Sequence, residues 1–532
     1  MALASAGWER PAAIPRAVPH RSGRRWLAVA AASICLLTIP PIAIAGLRTP
    51  AGSLFTGYVV IARDALVYQA MQRAGWQGAW LFHSPYSGEE LPGVLLYPWY
   101  LWPAHLLGWA AGPWLYHAAR LLAAAALLAA TYQLVAALFR ARLLRRWAFI
   151  LCALGGGVGA LLPEIRIGPV LTRATEMTSP GSSVADLIAM APHLSWAMAL
   201  MCWAMVAGLR LRRRPERRWM ILGLAAVLGL QLIYPQLAIL AAGALLVWSW
   251  QRHHRPAFHY AVGAALLQLP YLAYLALTWR STPAALAVVR ASLDVGDLFG
   301  FIVLSHLVAS TLIAIALWQR RLRGDLLLPA LWIAGMTVFM FAPGISGALG
   351  RSFMASSIPF GLCATPGLVA LLRRIRRPQW RRRLLALGLA ASSLYGVFSL
   401  AQPYWIAAFR LDPRAEYESR VEATLLARLS PHVSSRDLVL TTYLDGIFVP
   451  VHTSARAFLG HPEMTIDAPQ KAAQAQAFFN SWGRLQRGAF LRANHIDYVL
   501  VTDTGVVGRL ASDPALTLID LEGGGALFRV TP

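Results

Sequence analysis

Lysine is almost missing from this chain: a single residue, Lys471, stands against 47 arginines. Acidic residues are scarce as well, 24 Asp and Glu in 532 positions, and charged residues make up 14% of the chain against 57% hydrophobic. Soluble domains average about 25% charged and about 45–50% apolar, so a soluble globular class is excluded and a membrane protein indicated. The net charge of +24 would suit nucleic acid, but the arginines cluster in short groups between apolar runs, where they act as topology signals. The four cysteines, Cys35, Cys152, Cys202 and Cys363, lie in or beside apolar runs, which excludes a disulfide framework and a cysteine-rich zinc site. There is no Walker loop, dinucleotide glycine fingerprint, His-x-x-x-His pair or Gly-x-Ser-x-Gly elbow, so nucleotide hydrolysis is not the power source. "GGGVG" at 155–159 falls inside an apolar run and reads as a site of close helix packing.

What the chain has instead is a series of apolar runs, at 27–46, 114–139, 147–163, 194–209, 219–234, 236–250, 258–278, 298–318, 326–342, 353–372 and 384–402. Most approach the roughly 17–25 residues that cross hydrocarbon, and they predict a polytopic α-helical protein of about eleven spans. A twelfth run, "GVLLYPWYLWPAHLLGWAAG" at 93–112, carries two prolines, three tryptophans and two tyrosines, a composition suited to the headgroup layer. If that run does not cross, the clusters within 140–146, 210–218, 252–255, 320–323 and 373–383 share the side of the basic N-terminus with 22 arginines, while the opposite loops hold eight. The positive-inside rule then makes 93–112 a juxtamembrane helix, the N-terminus cytoplasmic and the C-terminus extracytoplasmic.

Three regions follow: a basic cytoplasmic tail at 1–25, a transmembrane domain at 26–405 containing a large first extracytoplasmic loop at 47–113, and an extracytoplasmic domain at 410–532. The last alternates helix-like segments (414–429, 469–493) with strand-like ones (437–442, 496–502, 526–530), the pattern of a small α/β domain. In the first loop, "YVVIARDALVYQAMQRAGWQG" at 58–78, read as one helix, puts Asp64 on a stripe with Val60, Ile61, Val67, Tyr68 and Met71, and turns Gln69, Gln72 and Arg73 away from it. A carboxylate aimed at an apolar wall is a functional candidate.

This order of parts, with "GAWLFHSPYSGEELPGVLLYPWYLWPAHLLG" and then "LYHAARLLAAAALLAATYQLVAALF" ending in arginines, resembles the C-type (GT-C) integral-membrane glycosyltransferases, within them the protein mannosyltransferase and aminoarabinose transferase group. The likeness is best over 26–140, extends as architecture to about 405, and takes in the tail only loosely. It implies transfer of a sugar from a polyprenyl-phosphate donor to an acceptor glycan, lipid or protein at the outer face of the cytoplasmic membrane. Many relatives show two adjacent acidic residues where this chain has Arg63-Asp64.

The chemistry assigns roles to match. An acceptor hydroxyl attacking the anomeric carbon must lose a proton, and Asp64 is the candidate general base, partly desolvated by its apolar surroundings. The leaving group is a lipid phosphate, for which Arg63, Arg120 and Arg351 are candidate partners; the resemblance favours Arg351, in "GRSFMASSIPF", while Arg120 suits a structural pairing. His83, Glu89 and Glu90 are candidates for binding the acceptor or, with Asp64, a divalent cation; a solvated charged loop is the competing reading. In the second external loop Glu176, Asp186 and His193 each read more readily as ordinary loop residues, and His306 as a hydrogen-bonded core histidine. Two other classes compete. A transporter of lipid or solute should show internal repeats and paired charges at mid-span, and neither is found. A non-catalytic cell-envelope assembly protein would keep its work in the exported domain.

Overall fold

The computed structural model describes residues 21–95, 97–108, 112–157, 161, 164–167, 170–173, 181–281, 305–341, 350–409 and 413–531. They divide into two compact units, one made of Met1–Ile39, Ala118–Leu275 and Val289–Gln402, the other of Pro40–His117, Ala276–Val288 and Pro403–Pro532.

The first unit is helical because its apolar runs have no aqueous partner for their backbone groups and satisfy them within each helix. Five helices among the described residues are long and apolar enough to cross a membrane: Arg25–Leu47, Gly112–Leu138, Pro192–Arg213, Arg255–Thr278 and Pro378–Phe409. The runs at 147–163, 219–234, 236–250 and 353–372 carry the helices Arg142–Ala153, Arg217–Ile233, Pro235–Gln251 and Ser357–Arg374. Leu307–Trp318 and Leu327–Phe341 are shorter apolar helices, the former from a run that lies partly outside the described residues. Proline sets several boundaries: Pro192 and Pro235 each occupy a first helical position, where a missing N–H costs nothing. Small side chains let these helices approach, and Ala204, Ala226, Val227, Ala242 and Ala264 form one buried cluster. A Cβ on Gly367 would run into the Leu312 carbonyl, so Ser357–Arg374 and Leu307–Trp318 meet backbone to backbone.

The second unit contains both the first loop and the tail. Ser53–Phe55 pairs antiparallel with Tyr417–Ser419, and Thr56 N–H donates to Glu416 O at 2.9 Å. The tail carries a five-stranded sheet of β1 (Leu438–Leu440), β2 (Arg456–Ala457), β3 (Tyr498–Val501), β4 (Leu516–Glu522) and β5 (Gly525–Val530), in the order β2-β1-β3-β5-β4. β1 is parallel to β2 and β3, and β5 runs antiparallel to β3 and β4. The strands expected at 437–442, 496–502 and 526–530 are β1, β3 and β5; β2 and β4 lie at the two edges. The helix expected at 469–493 is broken into Ala468–Asn480 and Arg484–Ala493, with Gly483 capping the second. Phe458, Phe478, Phe490 and Phe528 fill the core beside the sheet.

The stretch 58–78 departs from the sequence expectation. Its helix begins at Ala62 because Ile61 is left-handed (φ 47°), which puts Val60 and Ile61 outside the helical stripe. Gln72 and Arg73, expected to face away from the apolar side, are buried, and Arg73 Nη2 donates to Ser430 Oγ at 3.0 Å. Protein covers this helix on more than one side: Tyr68 stacks on Tyr100 with ring centroids 4.4 Å apart, and a Cβ on Gly75 would collide with the Leu101 carbonyl. Tyr100 and Leu101 belong to Pro98–Leu107, a helix of 10 residues, half the length of a span, with Trp99, Trp102, Leu106 and Leu107 exposed.

Three acidic residues, Glu416, Glu418 and Glu422, are buried where the tail enters this unit. His452 Nε2 meets Glu418 at 2.8 Å. Among the described residues no cation pairs with Glu422: burial raises its carboxyl well above the usual range, and the charges of Asp445 and Glu418 push it further. A carboxyl that keeps its proton in the folded state and gives it up in the unfolded state costs stability as pH rises from the ordinary carboxylate range toward the folded pKa, with a slope of up to about 1.4 kcal/mol per pH unit. Glu422→Gln should therefore raise the melting temperature at neutral pH and flatten this slope, as thermal melts of the detergent-solubilised chain across pH 4 to 8 would read out.

Candidate functional site

Asp64 is the third residue of the helix Ala62–Trp76. The first turn of a helix presents unsatisfied N–H groups and the positive end of the macrodipole. The side chain is 41% exposed, open enough to meet a substrate and too open to be a core residue.

Its partner comes from the tail. His461 is buried, and its Nε2 lies 3.2 Å from Asp64 Oδ1. The other ring nitrogen, Nδ1, accepts from the backbone N–H of Glu463 at 3.3 Å. A neutral imidazole that accepts at Nδ1 must carry its proton at Nε2, so the ring donates to Asp64 and holds the carboxylate in one orientation. Sequence reasoning missed His461, because nothing local in "FLGHPEM" marks it; the signal is the tertiary contact alone.

The contact exists because the loop at 83–90 is sewn to the tail. Ala457 N–H donates to Pro85 O at 2.8 Å, Ser84 Oγ to Met464 O at 3.1 Å, Thr465 Oγ1 to Tyr86 O at 2.6 Å and Ile466 N–H to Ser87 Oγ at 3.1 Å. The lone lysine completes the seam: Lys471 Nζ, buried, donates to Glu89 Oε2 at 2.5 Å and to Ser87 Oγ at 3.1 Å. Burial works to raise the Glu89 carboxyl, but its bonds from Lys471 and Ser87 more than offset it, and the group lies below the ordinary carboxylate range. Glu90 is exposed and 3.9 Å from Arg456. His83 Nδ1 lies 3.2 Å from Leu91 O. The structure thus gives Glu89 an anchoring contact and leaves His83 and Glu90 on the loop's outer side. Among the described residues no three or more His, Cys, Asp or Glu are grouped to hold a metal ion.

Arg63, next to Asp64, acts on Tyr443: burial raises that phenol, and the arginine's charge draws it part of the way back. In the first unit Arg120 is fully buried and engaged, its Nη1 donating to Thr38 Oγ1 at 2.9 Å and Ile188 O at 2.7 Å. Asp186 accepts from Gly181 N–H at 3.2 Å and its own N–H is capped by Ser183 Oγ at 3.0 Å. His193 Nε2 meets Tyr234 Oη at 3.1 Å, and His306 Nε2 meets Ser356 Oγ at 2.8 Å. The backbone turn Gly350–Phe353 carries Arg351 just ahead of a segment tied down by Ala355 N–H to Gly181 O and Ser357 N–H to Ser182 O, at 2.8 and 3.0 Å. Glu176 lies outside the described residues.

No known family pattern matches the chain, and no curated protein matches it by sequence. Solved structures do. The archaeal oligosaccharyltransferase AglB from Archaeoglobus fulgidus, in complex with an inhibitory peptide and a dolichol-phosphate, superposes with a TM-score of 0.53 at 10% identity, over 90% of this chain and 69% of that one. ArnT from Cupriavidus metallidurans, in the apo state, aligns over 96% of this chain and 98% of its own at 12% identity, with a TM-score of 0.47. The fold is that of the C-type membrane glycosyltransferases.

His461 is delivered to Asp64 by a close backbone approach, since a Cβ on Gly460 would lie 2.7 Å from Tyr86 Cδ1 and 2.8 Å from the Gly446 carbonyl oxygen. Gly460→Ala should cost about 1–3 kcal/mol, the range for overpacking, and differential scanning of the purified protein should show it as a lowered melting temperature.

Proposed function

We propose that the protein is a polyprenyl-phosphate-dependent glycosyltransferase acting at the outer face of the cytoplasmic membrane, with its N-terminus cytoplasmic and residues 410–532 outside. The observation that carries this reading is the carboxylate of Asp64, half exposed in the first turn of a helix and oriented by the Nε2–H of His461, in a chain with the C-type fold. The acceptor's hydroxyl or amine attacks the anomeric carbon of the donor sugar. As that bond forms, the bond from the sugar to the lipid phosphate breaks with its electron pair, and the acceptor's proton passes to Asp64. His461 touches no reacting atom; it is a positioning residue.

The departing phosphate needs a cation, and Arg351 supplies it in this reading. It precedes the helix Ser357–Arg374, on a stretch whose following residues Ala355 and Ser357 are tied through their backbone N–H groups to Gly181 and Ser182. AglB was solved with a dolichol-phosphate, which supports a polyprenyl-phosphate donor for a chain of the same fold.

Asp64→Asn keeps size and polarity and removes the base, so the protein should still accumulate in membranes while sugar transfer falls by about two orders of magnitude or more. His461→Ala should lower kcat by about ten- to a hundredfold with little change in KM, the scale on which residues that orient a reactive group act, and His461→Gln, whose amide can still donate, should recover part of it. Near-normal transfer by Asp64→Asn would leave the carboxylate a structural role.

Arg351→Ala should weaken use of the lipid-phosphate donor by about 1.5–3 kcal/mol, the scale of a hydrogen bond to a charged group, and Arg351→Lys should restore only part because the planar fork is lost. Initial rates at varied donor and fixed acceptor measure it. An equal loss toward donor and acceptor would indicate a folding defect instead.

A further inference from the structure

The tail contains a cavity that the transfer chemistry does not use. It has a volume of about 270 Å³ and opens where the chain leaves β1 and β3, the two neighbouring parallel strands: Thr442 and Tyr443 follow β1, and Thr502 and Asp503 follow β3. The connection from β1 leads to β2 on one side, and the next connection carries the chain back across to β3 on the other. This is a topological switch point, where loops at the carboxyl ends of parallel strands diverge and leave a crevice suited to a ligand. The helix Ala468–Asn480 forms the remaining wall, contributing Gln476, Phe479 and Asn480.

Its lining defines what would fit. No Lys, Arg or His is among the lining residues, so a phosphate or carboxylate finds no countercharge there. The rings of Tyr443 and Phe479 offer flat apolar faces, while the amides of Gln476 and Asn480, the hydroxyls of Thr442 and Thr502 and the carboxylate of Asp503 offer donors and acceptors around them. A neutral ring with an apolar face and a rim of hydroxyls, a pyranose, matches that combination. The volume falls just below the roughly 300–1,000 Å³ of pockets for drug-sized ligands, which suits one or two sugar rings.

The pocket is also tied to the catalytic helix. Thr502 Oγ1 donates to Asp445 Oδ2 at 3.2 Å, the turn Asp445–Ile447 packs against Ala62–Trp76, and the charge of Arg63 acts on Tyr443. We infer that this cavity binds a neutral sugar ring of the acceptor, so that the acceptor of the proposed transfer is a glycan. The inference deepens the glycosyltransferase reading and rests on it.

The test is ligand-observed NMR on the full-length protein in detergent, with the methyl glycosides of mannose, glucose, galactose and N-acetylglucosamine as neutral probes and glucose 1-phosphate as the anionic one. At least one neutral glycoside should give saturable transfer at millimolar concentration, glucose 1-phosphate should bind at least tenfold more weakly, and Gln476→Ala combined with Asn480→Ala should weaken the neutral probe tenfold or more without changing the melting temperature. Asp64→Asn should leave this binding intact, which separates the two claims: pocket binding can persist even if Asp64 proves not to be the base. Binding that is indifferent to the double variant, a preference for the phosphate probe, or no saturable binding by any neutral glycoside would overturn the inference.

Discussion

The placing of Asp64 against His461 depends on one seam, the run of hydrogen bonds between residues 84–89 and 457–471. It fixes the first loop against the edge strand β2 and carries His461 to Asp64. A carboxylate on an isolated loop would sample many rotamers and be fully hydrated. Here an imidazole of defined tautomer restricts its direction. The chain's single lysine belongs to this seam, buried beside Glu89 and Ser87. A compact ammonium fits a pocket between a hydroxyl and a carboxylate where a planar guanidinium would need more room.

The architecture was legible in the sequence wherever burial leaves a periodic trace. The apolar runs, the helix in the aromatic-rich run at Pro98–Leu107 and the three interior strands of the tail all follow from composition and alternation. The edges did not show. β2 is two residues long, too short for any pattern, and β4 exposes Leu518, Ile519 and Leu521, so its alternation reads as noise. The stretch at 58–78 failed for a different reason. A left-handed Ile61 has no sequence signature, Arg73 is buried with its guanidinium donating to Ser430 of the tail, and Gln72 is buried as well.

The site was half legible. Asp64 stands out as a carboxylate beside an apolar run, and the arginines as cations near span ends. His461, Lys471 and the seam were not, because their partners lie about 380 to 400 positions away in the chain and local pattern carries no information across that distance. The same holds for Glu89: as a sequence it is an exposed acid in a loop, and in the fold its carboxylate is spent on Lys471.

The order of strands in the tail has a consequence for biosynthesis. β5 lies inside the sheet, between β3 and β4, although it is made after both. A chain emerging from the ribosome has threaded its spans and exposed Asp64 long before Gly525–Val530 is available, so the sheet that supports His461 closes only after those residues are translated. The carboxylate is then without its histidine throughout membrane insertion. A chain interrupted between residues 64 and 525 would carry Asp64 without the complete sheet behind His461.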